Sequence, residues 1–82
     1  MMNQETYQAI SCASYDKYEL AIMRKTVLPL RWRDDRGQVM QATLLPLDLR
    51  TERGYGEFLL AQDREGRAYR IRLDHILSPP PE

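Results

Sequence analysis

The chain has 82 residues, with 12 Lys+Arg balanced by 12 Asp+Glu and one His, for a formal net charge of zero. That length holds one small domain and no cleft between domains, and 43% hydrophobic with 29% charged residues marks a globular rather than a disordered chain. A neutral balance excludes a protein that coats nucleic acid generally, which would be strongly basic, and leaves room for a local charged patch.

Cys12 is the single cysteine, so neither an internal disulfide nor a cysteine-based zinc site is open to one chain. It reads as a small apolar filler. The first residues lack a basic stretch followed by an apolar one, so no signal peptide is expected. No apolar run approaches the ~18 residues of a membrane span, and the expected compartment is the cytoplasm.

Residues 1–10 are polar and read as extended. Ser14 then reads as a helix N-cap, with Asp16 in the first turn and Arg24 and Lys25 in the last, a charge order that suits the helix dipole. The helix is predicted over about 15–25. At roughly 100° per residue, Tyr15, Tyr18, Ala21 and Ile22 share the face meant for the core. Asp16, Glu19, Leu20 and Met23 share another, which puts two carboxylates beside apolar side chains.

After Thr26 the hydrophobic period changes to two. Leu28, Leu30 and Trp32 alternate with Pro29, Arg31 and Arg33, which predicts a strand, with Pro29 pointing to a sheet edge or its solvent side. Asp34-Asp35-Arg36-Gly37 is a turn, and a second strand follows from Gln38 to Leu45. Pro46 to Gly56 reads as a longer loop carrying Glu52, Arg53 and Gly54. A third strand covers Glu57 to Gln62, and Asp63-Arg64-Glu65-Gly66 is a hairpin turn. In the fourth strand Tyr69, Ile71 and Leu73 face in, while Arg70 and Arg72 face out. Ile76-Leu77 is a short last strand, and Pro79-Pro80-Pro81 ends structure near Ser78. The expected organisation is one domain over 1–78 with a Pro-rich tail over 79–82.

One helix followed by four or five short strands with tight turns predicts a mainly β fold, a small SH3-like or Sm-like barrel with the helix across one end. Closing the sheet solves the edge problem for so short a chain.

No constellation for catalysis emerges. His75 has no Ser or Cys at an interpretable spacing, and the sequence holds no phosphate loop, dinucleotide fingerprint or metal-ligand cluster. The chain is expected to be no enzyme, with no cofactor, metal or small-molecule substrate.

Two surfaces remain as binding candidates. Arg31 with Arg33, and Arg70 with Arg72, would form a basic stripe on neighbouring strands, with Trp32 or Tyr69 to stack bases. Strand alternation turns those aromatics to the opposite side from the arginines, so a solvated outer face is the simpler reading. The helix face of Asp16, Glu19, Leu20 and Met23 suits a basic protein partner, including one that itself binds nucleic acid. From spacing alone an ordinary solvated helix face is the better explanation.

The segment Thr6-Tyr7-Gln8-Ala9-Ile10-Ser11-Cys12, followed by Tyr15-Asp16-Lys17-Tyr18-Glu19-Leu20-Ala21, resembles the opening signature of the Rof (YaeO) family of small bacterial Rho-binding antiterminators. The resemblance continues through the Gly37 turn, Gln41-Ala42 and Glu57-Phe58-Leu59, and closes on Arg70-Ile71-Arg72-Leu73-Asp74-His75-Ile76, so that it spans about 6–77. It implies an Sm-like barrel with an N-terminal helix that binds the transcription termination factor Rho and blocks its primary RNA-binding site. Asp16 and Glu19 match the family's helix acids, and Tyr15 matches the tyrosine before them. Leu20 and Met23 complete that face, and Arg53 and Gly54 fall where the family has a second contact region. The expected partner is therefore Rho, with no direct nucleic acid and no membrane. The rival is a small Sm-like RNA-binding module using the arginine stripe, and a third possibility is a regulatory domain that senses another protein.

Overall fold

Ser11, and not Ser14, opens the helix. The computed structural model describes residues 7–77, and its first element, α1, is Cys12–Arg24. Ser11 holds extended backbone and its Oγ accepts the Ser14 N–H at 3.2 Å, which satisfies one of the helix's orphan donors. Both serines suit a cap, and the earlier one lets the helix start three residues sooner than predicted. Asp16 consequently lies beyond the first turn, which holds no acid. Cys12, read as filler, is exposed as the first helical residue. At the other end Lys25 takes the left-handed conformation (φ 54°), and Thr26 N–H reaches Ala21 C=O at 2.9 Å while Lys25 N–H reaches Ile22 C=O.

Strands β1 (Leu28–Arg33), β2 (Val39–Glu52), β3 (Gly56–Gln62) and β4 (Ala68–Arg72) come next as an antiparallel meander in the order β1-β2-β3-β4. In β1, burial alternates as the sequence predicts, with Leu28, Leu30 and Trp32 inside and Pro29, Arg31 and Arg33 outside. The turns at Asp34 and Asp63 use one device. Each Asp Oδ1 accepts two backbone N–H groups, Arg36 and Gln38 in the first turn and Glu65 and Arg67 in the second, at 2.8–2.9 Å.

β2 departs most from expectation. The stretch read as a loop is strand up to Glu52, and only a tight turn at 53–55 separates β2 from β3. The first part of β2 pairs with β1 through Leu44, and the second part pairs with β3 from Leu45 onward. Pro46 cannot donate to a ladder, and the register shifts between Pro46 and Asp48, so a bulge absorbs the proline where the strand changes partners. This lets one long strand serve both halves of a curled sheet.

After β4 a 3-10 turn, Leu73–His75, buries Leu73. Trp32 and Ile76 then form an antiparallel bridge, and Leu77 N–H donates to Arg31 C=O at 2.7 Å. The predicted last strand is thus a bridge that draws the chain after β4 back to β1. The result is mainly β, a curled half-barrel compatible with a small β-barrel. α1 packs on β2. Tyr18 and Ala21 from the helix join Leu28, Leu30, Trp32, Leu44, Leu59, Ala61, Ile71 and Leu73 in one core. The predicted Pro-rich tail at 79–82 and the end of structure near Ser78 lie outside the described residues.

Candidate partner-binding surface

The register of α1 is fixed by burial. Tyr18 is 2% exposed and Ala21 6%, with Tyr15 and Ile22 half-buried beside them against the core. A helix anchored by these four must turn its remaining side outward. Asp16 and Glu19 are exposed there, with Leu20 at 42% and Met23 at 77%. The structure therefore brings Asp16, Glu19, Leu20 and Met23 together as one solvent-facing strip.

Tyr15 sits at the border of core and surface. Burial raises its hydroxyl above the ordinary tyrosine value, and the carboxylates of Glu57, Glu19 and Asp48 push it the same way. Three elements, α1, β2 and β3, thus contribute acids around one tyrosine. Glu57 also accepts a hydrogen bond from the Tyr7 hydroxyl at 3.1 Å. Burial and that bond, with the charge of Glu57, raise the Tyr7 hydroxyl strongly.

Arg53 and Gly54 are exposed in the turn between β2 and β3, where Tyr55 N–H closes back on Glu52 C=O at 2.9 Å. Neither makes a hydrogen bond or ion pair to α1 among the described residues. The first two residues of β3 link this turn to the helix surface. Gly56 lies against the Tyr7 ring, and Glu57 acts on both Tyr7 and Tyr15.

The arginine stripe comes out differently. β1 and β4 are the two outer strands of the sheet, but its curl makes Arg33, Arg70 and Arg72 line one cleft of about 240 Å³ with Trp32, Tyr69 and His75. Two of these cations are committed. The Arg70 guanidinium lies 3.9 Å over the Phe58 ring and bonds the Glu52 carboxylate. Arg72 does not project freely, as the alternation suggested. Its side chain is 13% exposed and bonds both oxygens of Asp74, at 2.8 and 2.6 Å. The aromatics are committed too, since Trp32 is buried and meets Tyr69 edge-on with centroids 5.7 Å apart. The buried Trp32 ring offers no face to a base.

Sequence reasoning missed Tyr7, Asp48, Glu57 and Asp74 as parts of this framework. Asp74 accepts the Gln8 backbone N–H at 2.9 Å and so fastens the segment before α1 to the 3-10 turn. These are contacts across 50 and 66 residues of sequence, which no local pattern announces. Among the described residues no group of three or more His, Cys, Asp or Glu is arranged to hold a metal ion, and no helix is long and apolar enough to cross a membrane. Comparison with protein-family models, curated proteins and solved structures finds no match.

Proposed function

We propose that this chain inhibits Rho-dependent transcription termination by binding Rho over its primary RNA-binding site. The observation that carries the reading is the outer face of α1, where Leu20 and Met23 stand exposed beside the carboxylates of Asp16 and Glu19. The resemblance of the α1 segment to the Rof signature supplies the partner. A surface that binds RNA is basic, and carboxylates on a rigid helix complement it. The apolar pair gives the contact an area from which water is excluded, with the acids next to it. Methionine suits that place because its flexible thioether adapts to an irregular surface. On this reading the curled sheet is a small Sm-like barrel, whose task is to hold α1 in one orientation through Tyr18 and Ala21. Inhibition is then steric, since RNA and this chain compete for one site, and the setting is the cytoplasm in which Rho acts.

The test is charge reversal at Asp16→Lys with Glu19→Lys. Both side chains are exposed, so the core is untouched. Asp16 is past the first turn, where the helix-dipole effect has fallen off, so the fold cost is below about 0.5 kcal/mol. Placing like charges against a basic site costs about 3 kcal/mol or more, a hundredfold or more in Kd. Rho binding by the variant at wild-type strength would exclude the α1 face. Submicromolar affinity of the isolated chain for pyrimidine-rich RNA at physiological salt would favour the RNA-binding rival instead.

A further inference from the structure

The outer face of the sheet carries a groove of its own. Leu44 points into the core with Tyr18 and Ala21, so Leu45 points to the opposite face of β2. Leu45 pairs with Gln62 of β3. The β1–β2 register, carried one step past Leu28 and Leu44, sets Val27 across from Leu45 on its other side. Val27, Leu45 and Gln62 thus form one row across the sheet. With Thr43, Asp63 and Arg64 they line a groove of about 370 Å³, in which Val27 is 56% exposed.

Charge around this groove is uncompensated. On β2 and β4 the arginines are held by acids: Arg50 by Asp48, Arg70 by Glu52 and Arg72 by Asp74. Arg31 and Arg64 differ. Both are exposed, and neither guanidinium has a hydrogen bond or ion pair among the described residues. Arg64 lines the groove. Arg31 lies across from Gln41, which makes it the diagonal neighbour of Thr43, about 7–8 Å away in an antiparallel pair. The acid in the lining, Asp63, is already engaged. Its Oδ1 accepts the Glu65 and Arg67 N–H groups, and its Oδ2 accepts the Tyr69 hydroxyl. A single exposed valine or arginine is ordinary. An apolar recess flanked by two unpaired cations selects an occupant that is both apolar and anionic.

We infer that this groove docks an acidic protein segment, with one apolar side chain entering between Val27 and Leu45 and flanking carboxylates meeting Arg31 and Arg64. A cavity of about 150 Å³ holds a benzene-sized group, so the groove has room for a leucine-sized anchor. Nucleic acid fits less well, because no aromatic side chain lines the groove for a base to stack on. A second copy also fits less well. Its acidic α1 strip would bring Arg24 and Lys25, next to Met23, against Arg31 and Arg64. The inference is independent of the α1 reading, since α1 is anchored on the core face of the sheet and the groove is on the outer face.

The test is an amide NMR titration of the full chain with the blocked pentapeptide Glu-Glu-Leu-Glu-Glu. The amides of Val27, Thr43, Leu45 and Gln62 should shift together, with a Kd of about 1 mM or tighter. Replacing the peptide's leucine by serine, or its acids by lysine, should weaken binding about tenfold or more. Val27→Ser, and Arg31→Glu with Arg64→Glu, should do the same from the other side, with melting temperatures near wild type because all three positions are exposed. Asp16→Lys with Glu19→Lys should bind the peptide as wild type does, which keeps this result separate from the α1 reading. The inference is overturned by no shift at about 10 mM peptide, ten times the expected Kd, by equal binding of the lysine peptide, or by wild-type affinity in the groove variants. Displacement of the peptide from these amides by pyrimidine-rich RNA overturns it in favour of nucleic acid. Shifts of the same amides with chain concentration alone overturn it in favour of a second copy.

Discussion

Replacing Gly56 with alanine tests how the segment before α1 is fastened. Gly56 has φ 110°, a conformation that side-chain-bearing residues rarely adopt. Holding alanine there costs about 1–2 kcal/mol. A Cβ at this position would also stand 2.5 Å from Tyr7 Cγ and 2.6 Å from Cδ1, so the Tyr7 ring must move. Moving it breaks the Tyr7–Glu57 hydrogen bond, worth about 0.5–1.5 kcal/mol. The sum is about 1.5–3.5 kcal/mol, a large part of the roughly 5 kcal/mol that stabilises so small a domain. Thermal unfolding followed by circular dichroism should show Tm falling by about 10–20 °C. A double-mutant cycle with Tyr7→Ala separates the parts: without the ring, Gly56→Ala should cost only the backbone share. Stability within about 0.5 kcal/mol of wild type would refute both the strain and the Tyr7 contact.

Ser11→Ala should cost about 0.5–2 kcal/mol and Ser14→Ala clearly less, because Ser11 is the cap; equal losses by urea unfolding would return the cap to Ser14. Asp74 carries a pH signature. Burial alone would raise its carboxyl, but the Arg72 and Gln8 hydrogen bonds and the Arg72 and His75 charges outweigh burial and hold it below the ordinary value. A carboxyl with a depressed folded pKa adds stability above about pH 4 and loses it as pH falls through the folded value. Asp74→Asn should therefore be less stable than wild type at pH 7 and should lose less stability below about pH 4; parallel acid limbs in the two proteins would contradict this. Arg72→Glu should destabilise the fold by setting like charges together at Asp74, so a clean test of the rival basic surface is Arg31→Glu with Arg33→Glu, both exposed. That pair should leave Tm and Rho binding nearly unchanged.

Elements with strong local periodicity were legible in the sequence. The alternation of Leu28, Leu30 and Trp32, the Asp-led turns before Gly37 and Gly66, and the inward face of α1 all derive from spacing. The structure differs where two local signals compete. Ser11 and Ser14 are equally good caps by type, and the segment before the helix that brings Ser11 into place is tied at Tyr7 and Gln8 by contacts distant in sequence. Pro46 reads as a strand breaker, yet a bulge accommodates it and Leu49 carries the strand onward against the core. At the candidate site, the outward set Asp16, Glu19, Leu20 and Met23 was readable from helical spacing. Its neighbours Asp48 and Glu57 were not, because they arrive from β2 and β3 through pairing. The arginine stripe misled because alternation gives direction and not partners: Arg70 and Arg72 point outward from β4 but are held by Glu52 and Asp74.

If the chain covers the primary RNA-binding site, this chain and RNA exclude one another on Rho. The direct measurement is fluorescence anisotropy of a labelled pyrimidine-rich RNA bound at the primary site of the Rho hexamer, titrated with this chain. RNA should be released in proportion to chain bound, excess RNA should displace the chain in the reverse titration, and salt should slow association because charge complementarity acts largely on the on-rate. A ternary complex in which the chain is bound while RNA fully occupies the primary site would contradict it.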